Sequence, residues 1–353
     1  MDGKGTKKEE RKMKRSCGKK KIVVAGAAIL DAVAVNVGPE VFAAGSSPAD
    51  RIRLSTGGDA LNEATVLARL AAAEEPEREG ENSPLSVSLL TVLGEDMAGK
   101  LILQHCAECG ILVEEGTARE GLDTGVNLVL VQRDGERSFL TDPKGSLRRL
   151  SREDILGRLP QDADVFCLAS MFVSPLLGPG EMEEVFRACK SRGMTVCADM
   201  TRPKNGETVE TVKEALSRLD FLFANEAEAA ALTGEKDAVR AARALHGAGV
   251  SCAVIKRGAR GCCLIDGQNE MEIPACPVRS CVDTTGAGDS FAAGFLYALS
   301  RGKDTAECAR FANRCGALAV QMAGASEWTK EIGKGIGKGV SGEVSRSGEA
   351  AFR

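Results

Sequence analysis

Hydrophobic and polar positions follow two different rhythms along this chain. Between Thr124 and Thr141 they alternate around Asp134-Gly135, which predicts a β-hairpin. Ala32–Val37 alternates too, and with Arg51–Leu54 it brackets a loop rich in Gly, Pro and Ser. Lys21–Ala27 and Val87–Leu93 are apolar runs that predict buried strands. Asp59–Ala73 repeats Leu61, Ala64, Ala68 and Ala71 at helical spacing, and Met97–Cys109 predicts a second helix. A Glu-rich loop, Ala73–Ser83, separates the first helix from the next strand. After Ser151 the runs Val165–Ala169, Thr195–Asp199, Phe221–Ala224 and Ala253–Lys256 alternate with helical patterns. That succession predicts an α/β body with a mostly parallel sheet covered on both faces. The hairpin-like strands, from about 30–55 and 124–141, do not fit the alternation. They predict a small second sheet over one edge of the body.

The length of 353 residues, with 43% apolar and 27% charged, suits a globular chain with a large core and excludes collagen-like, coiled-coil or wholly disordered classes. No apolar run approaches the roughly 20 residues that cross a bilayer, and no signal-peptide stretch opens the chain. A soluble, cytoplasmic protein without membrane attachment is expected. Residues 1–21 carry ten Lys/Arg against three acids, a balance of +7, so the net −4 leaves −11 on the rest. An acidic body argues against a nucleic-acid surface. Residues 1–20 are expected to be a disordered basic tail, 21–330 the folded domain, and 331–353 a disordered low-complexity tail. Gly337–Gly342 matches GxGxxG there, but no strand precedes it and no helix follows.

Thirteen cysteines suggest disulfides by number only. Cys167, Cys197, Cys252, Cys262 and Cys263 sit in apolar runs and the count is odd, so reduced thiols are expected. Cys106-Ala-Glu-Cys109, preceded by His105, lacks a second ligand pair at zinc spacing and reads as helix. With only His105 and His246, both in helical patterns, a Ser-His-Asp hydrolase or poly-His metal site has little material.

The densest chemical signal is Val282-Asp-Thr-Thr-Gly-Ala-Gly-Asp-Ser-Phe291. A glycine turn opening a helix (Ser290 to Ala298) presents backbone N–H groups to an anion. Asp289 in the same turn suits a hydroxyl that loses its proton while attacking a phosphoryl group. Alone, the segment reads equally well as a Gly-rich cap. Gly57-Gly58-Asp59-Ala60-Leu61-Asn62 is a second such turn, and Asn225-Glu226-Ala227-Glu228 follows a strand end, where open α/β sheets bind ligands. Each of these alone also reads as ordinary capping.

Together these segments resemble the PfkB (ribokinase-like) family of carbohydrate kinases over roughly Lys21 to Ala325. Asp283–Phe291 (DTTGAGDSF) is similar to the family's second signature, Gly57–Ala64 (GGDALNEA) to its first, and Asn225–Glu228 to its NxxE; Gly94-Glu95-Asp96 and Gly99 fit a further motif. The chain looks most similar to uncharacterised bacterial sugar kinases. The resemblance implies a ribokinase-like fold with a β-sheet lid and ATP-dependent phosphorylation of a hydroxymethyl group on a small sugar. Asp289 would be the base, a role that a carboxylate with a near-normal pKa can serve, and Gly286, Ala287 and Gly288 the anion hole. Asn225 and Glu228 would organise Mg²⁺, and Asp283 with the Thr285 carbonyl would hold the K⁺ that many members use. Asp31, Gly57, Gly58, Asp59 and Asn62 would face the sugar. Lys256, Gly258 and Gly261 would form a nucleotide-side loop, and Asn313 an adenine-pocket position. A homodimer through the lid is frequent in the family.

The chain departs from ribokinases at Ile29, Asp59, and Ser170-Met171, where they carry Asn, Lys and a ribose-binding Glu, so ribose itself is not expected. Asp59 favours an unphosphorylated substrate, whereas Arg133, Arg137 and Lys144 in the lid favour a sugar acid or sugar phosphate. A nucleoside kinase or a phosphosugar kinase of the same fold, and a non-catalytic sugar-binding protein, remain as alternatives. Family members end on a helix after the Gly-Ala that is Gly324-Ala325 here. Its replacement by low-complexity sequence is expected to expose part of the sheet or nucleotide pocket.

Overall fold

The fold was read from a computed structural model, which describes residues 20–74, 85–134, 136–267 and 269–332. A nine-stranded sheet forms the body. Its strands are β1 (Lys20–Ala25), β4 (Leu85–Leu90), β6 (Leu112–Val113), β10 (Val165–Met171), β11 (Thr195–Met200), β12 (Phe221–Asn225), β13 (Cys252–Lys256), β14 (Cys262–Asp266) and β15 (Asn269–Ile273). The order is β15-β14-β13-β12-β11-β10-β1-β4-β6. All neighbours run parallel except β13–β14 and β14–β15, an antiparallel edge that the sequence pattern did not announce.

Central strands such as β1 and β10 are apolar on both faces because each face carries its own core. Ile22 and Val24 of β1 pack with helices Asp59–Ala72, Met97–Cys109, Ala287–Ser300 and Thr305–Ala319. Val23 and Ala25, pointing the other way, pack with helices that include Arg152–Arg158, Pro179–Ser191 and Ala238–Gly247. Period-2 side-chain direction thus turns one continuous apolar run into two buried layers.

The alternating segments form the separate sheet that their pattern predicts: β3-β2-β8-β9, from β2 (Ile29–Val35), β3 (Arg51–Gly57), β8 (Val126–Val131) and β9 (Arg137–Thr141). A two-stranded pairing of β5 (Leu93–Gly94) with β7 (Ala118–Arg119) completes the strands among the described residues. Among the described residues the cysteines other than Cys276 are free thiols, and all of these but Cys281 are buried. His105 and His246 lie in helices.

The tail boundaries shift slightly. Lys20 pairs with Leu85 as the first residue of β1. The C-terminal described segment folds into a 3-10 helix, Glu327–Glu331, with Trp328 only 3% exposed. Its indole N–H donates to Ser290 Oγ at 3.0 Å, so this segment packs on the core beside the Ala287–Ser300 helix. The basic tail up to residue 19, the loop 75–84, the hairpin's Gly135 and the GxGxxG match lie outside the described residues.

Candidate active site

On the carboxyl side of the sheet, Ser170, Asp199, Asn225 and Lys256 stand at or beside the ends of β10 to β13, next to the place where strand order reverses about β1. Open parallel sheets bind ligands at such a place. A cavity of about 770 Å³ opens there, lined among others by Asp59, Asp199, Asn225, Glu228, Lys256 and Asp289.

The Ala287–Ser300 helix aims its N-terminus at this cavity. Gly286 is its N-cap at φ 72°, and a Cβ there would lie 2.4 Å from Ala325 Cα, so the turn requires glycine. The Ala287 N–H is spent on the Thr284 carbonyl at 3.3 Å, which leaves Gly286 and Gly288 as the donors of the turn among the described residues. Lys256 closes the other side. A Cβ on Gly288 would sit 3.3 Å from its Nζ, so the ammonium lies against the amide-bearing turn. Lys256 Nζ donates to both carboxylate oxygens of Asp199 at 2.8 Å, and both side chains are largely buried. Burial alone would lower the lysine's pKa, but Asp199 and Glu228 hold it protonated and raise it. Asp199 was missed in the sequence. Its signal was a carboxylate ending an apolar parallel strand.

Asp289 does not have an ordinary carboxylate pKa. Burial, then the nearby Asp59, push it up to about 8, against a hydrogen bond from Asn62. Asn62 Nδ2 donates to Asp289 Oδ2 at 2.7 Å, so its amide is directed at the carboxylate expected to act as base. Asp59 accepts from Ser170 Oγ at 3.3 Å, and burial raises it. Beneath them Glu63 is fully buried, with Oε1 lacking a partner among the described residues. Burial and the carboxylates of Asp199 and Asp289 raise it well above the usual range. Nothing in the sequence distinguished Glu63 from a polar helix residue.

The lid carries Asp31 and Gly57. Asp31 on β2 accepts from Asn127 Nδ2 on β8 at 3.2 Å, and burial raises its pKa. Asn127 Oδ1 has no partner among the described residues and is buried. A Cβ on Gly57 would come within 2.3 Å of Asp31 Oδ2, so β3 approaches this carboxylate as only glycine allows. Gly58 caps the Asp59–Ala72 helix at φ 92°. Asp31, Gly57, Gly58 and Asn62 are not among the residues that line the cavity.

Asn225 and Glu228 form a reciprocal cap: Asn225 Oδ1 accepts from the Glu228 N–H at 2.9 Å, and Glu228 Oε2 from the Asn225 N–H at 2.7 Å. Glu228 keeps Oε1 for the cavity, a donor set that fits a hydrated Mg²⁺. Gly258 and Gly261 flank a 3-10 turn and line the cavity. Asn313 lines it too, but its amide donates to the carbonyls of Ile273 (3.2 Å) and Pro274 (3.0 Å) and shapes the wall. Of the lid cations, Arg133 pairs with Glu40, and Arg137, on the lid face that carries Asp31 and Asn127, pairs with Asp283 and Thr285.

A mostly parallel sheet roofed by a β-lid, with a glycine turn and a carboxylate at one helix N-terminus, defines the ribokinase-like fold. The profile of the pfkB family carbohydrate kinases matches residues 19–331, and the chain belongs to that family. It is 31% identical to a ribokinase of Arabidopsis thaliana over 66% of this chain and 62% of that one. It is 35% identical to a cytidine kinase of Thermococcus kodakarensis over 44% of this chain and 56% of that one. In both cases the chain spans less than two thirds of the relative's length. The solved structure of the Arabidopsis thaliana ribokinase, complexed with ribose and ATP, superposes with a TM-score of 0.72 at 26% identity, over 90% of this chain and 98% of that one.

Proposed function

We propose that the protein is an ATP-dependent kinase that phosphorylates a hydroxymethyl group of a small sugar or sugar derivative by in-line transfer. The observation that carries this reading is the placement of Asp289 beside the Gly286–Gly288 turn in the same cavity as Lys256 and Glu228. The substrate hydroxyl oxygen attacks the γ-phosphorus, its proton passes to the Asp289 carboxylate, and the bond to the β,γ-bridging oxygen breaks to release ADP. The Gly286 and Gly288 amides and the Lys256 ammonium face the charge that spreads over the transferring group. Mg²⁺, held through waters by Asn225 and Glu228, would neutralise phosphate charge. Asp31 and Asn127 Oδ1 accept from sugar hydroxyls, because a sugar needs paired acceptors that are already positioned.

One observation favours a second reading, a nucleoside kinase. Phe139 is 59% exposed, and the β8–β9 register places it on the lid face that carries Asp31 and Asn127, where a ring can stack on a base. The opposite lid face exposes Ile52, Leu54, Leu128 and Leu140, which supports a homodimer through the lid. Buried free thiols among the described residues support a reducing, cytoplasmic setting. Residues 20–332 are proposed as the kinase unit.

ADP release from Mg-ATP is the test, against ketoses, aldoses, sugar acids, sugar phosphates and nucleosides. Turnover with one class, abolished by Asp289→Asn, supports the kinase and names the class. Sugars that raise the melting temperature without any turnover would point instead to a binding protein.

A further inference from the structure

The residues expected to hold a monovalent cation do not fit one. Asp283 has a side chain only 7% exposed, and both its oxygens are engaged. Oδ1 accepts from the Thr285 N–H at 2.9 Å and from a terminal nitrogen of Arg137 at 2.8 Å. Oδ2 accepts from the Gly324 N–H at 3.1 Å. The other terminal nitrogen of Arg137 donates to Thr285 Oγ1. A guanidinium, planar and always charged, therefore lies against the carboxylate that K⁺ would use, and its positive charge opposes a second cation there.

Arg137 is not local to this loop. It opens β9 in the lid, 146 residues from Asp283. The loop it grips runs directly into Gly286, the αL cap whose conformation aims the amides of the turn. The Gly324 N–H on Asp283 ties in the same segment that bears Ala325, the residue packed against Gly286. One guanidinium thus joins the lid, the cap and the C-terminal loop.

We propose that Arg137 takes the place of the monovalent cation, as a positioning residue that holds the anion-binding turn and ties it to the lid, so that the protein works without K⁺. The kinetic part rests on the kinase reading above, whereas the binding part does not. The test compares the full chain with Arg137→Met in potassium, sodium and tetramethylammonium chloride at one ionic strength. Melting temperature and ADP release are read in parallel.

The unaltered protein should melt at the same temperature in all three salts, with rates that agree within about twofold, since a built-in cation leaves no ion-specific coupling. Arg137→Met should lose roughly tenfold or more in kcat in tetramethylammonium and recover most of it in K⁺, as expected of a positioning interaction restored by a ligand. Its melting temperature should rise with K⁺ by mass action. A saturable K⁺ response of the unaltered protein, in either readout, overturns the proposal, and that arm stands even where Arg137→Met does not fold. A folded Arg137→Met that matches the parent in every salt, or that is impaired and blind to K⁺, overturns it as well. If no substrate turns over, the kinase reading fails while the melting data still decide this one.

Discussion

Asn62 donates its side-chain amide to Asp289 Oδ2 at 2.7 Å across 227 positions of sequence, joining the first glycine turn to the second. The bond opposes the burial and the Asp59 charge that push Asp289 up to about 8. Its chemical consequence is a pH profile. A general base works ionised, so log kcat/KM should rise with pH at near-unit slope below about 8 and level off above it. Asn62→Ala removes the opposing hydrogen bond, which raises the pKa further, so the rising limb should move to higher pH and the rate at pH 7 should fall. Initial rates across pH 6 to 10 check both. A flat profile with chemistry rate-limiting would exclude Asp289 as the titrating base.

Asp289→Asn separates binding from chemistry. Loss of a general base typically costs about 10²–10⁴-fold in kcat, while affinity for the sugar should change little. Stability should move the other way. Asp289 has a folded pKa above its unfolded value, so its contribution is intact at low pH and is lost as pH rises through about 8. Asparagine does not ionise. The variant should therefore gain melting temperature over the parent as pH passes from 6 to 9, which thermal scans at fixed ionic strength will read.

Lys256 and Asp199 form the charged pair beneath the transfer site. Removing one partner of a buried pair leaves an uncompensated charge and costs about 3–5 kcal/mol, whereas removing both can be nearly neutral. Lys256→Met should thus be strongly destabilised in urea, and Asp199→Asn combined with it should recover a large part of the loss. Both should stay impaired in kcat, since the cation facing the transferring phosphoryl is gone in each. Recovery of turnover in the double variant would assign Lys256 a structural role alone.

The parts of this architecture that repeat were legible in the chain. Continuous apolar runs such as Val165–Ala169 marked parallel strands, and the alternating Thr124–Thr141 marked the lid, because side-chain direction in a strand has a fixed period. The glycine turns at Gly57-Gly58 and Gly286–Gly288 could be placed because glycine permits the conformations they adopt. Contacts across the fold were not legible. Asn62 on Asp289, Arg137 on Asp283 and Lys256 on Asp199 join residues whose separation no local pattern encodes. The same blindness applied to the raised pKa of Asp289, which comes from burial and from Asp59, 230 positions away. It applied also to β14 and β15, whose antiparallel pairing depends on the Asp266-Gly267 turn, not on strand composition.

The end of the chain offers the sharpest contrast between sequence and structure. Trp328, in a short 3-10 helix, is buried against the core that includes Phe291 and Ala292, and its indole donates to Ser290, which is itself fully buried. Ser290 adjoins Asp289 on the first turn of the helix that carries the anion site. Truncating a buried Trp to Ala costs about 3–5 kcal/mol, and here it also leaves Ser290 Oγ without its donor. Trp328→Ala should therefore lower both stability and kcat. Trp328→Phe, which fills most of the volume and loses only the N–H, should be milder in stability. Thermal melts and initial rates of both variants check this.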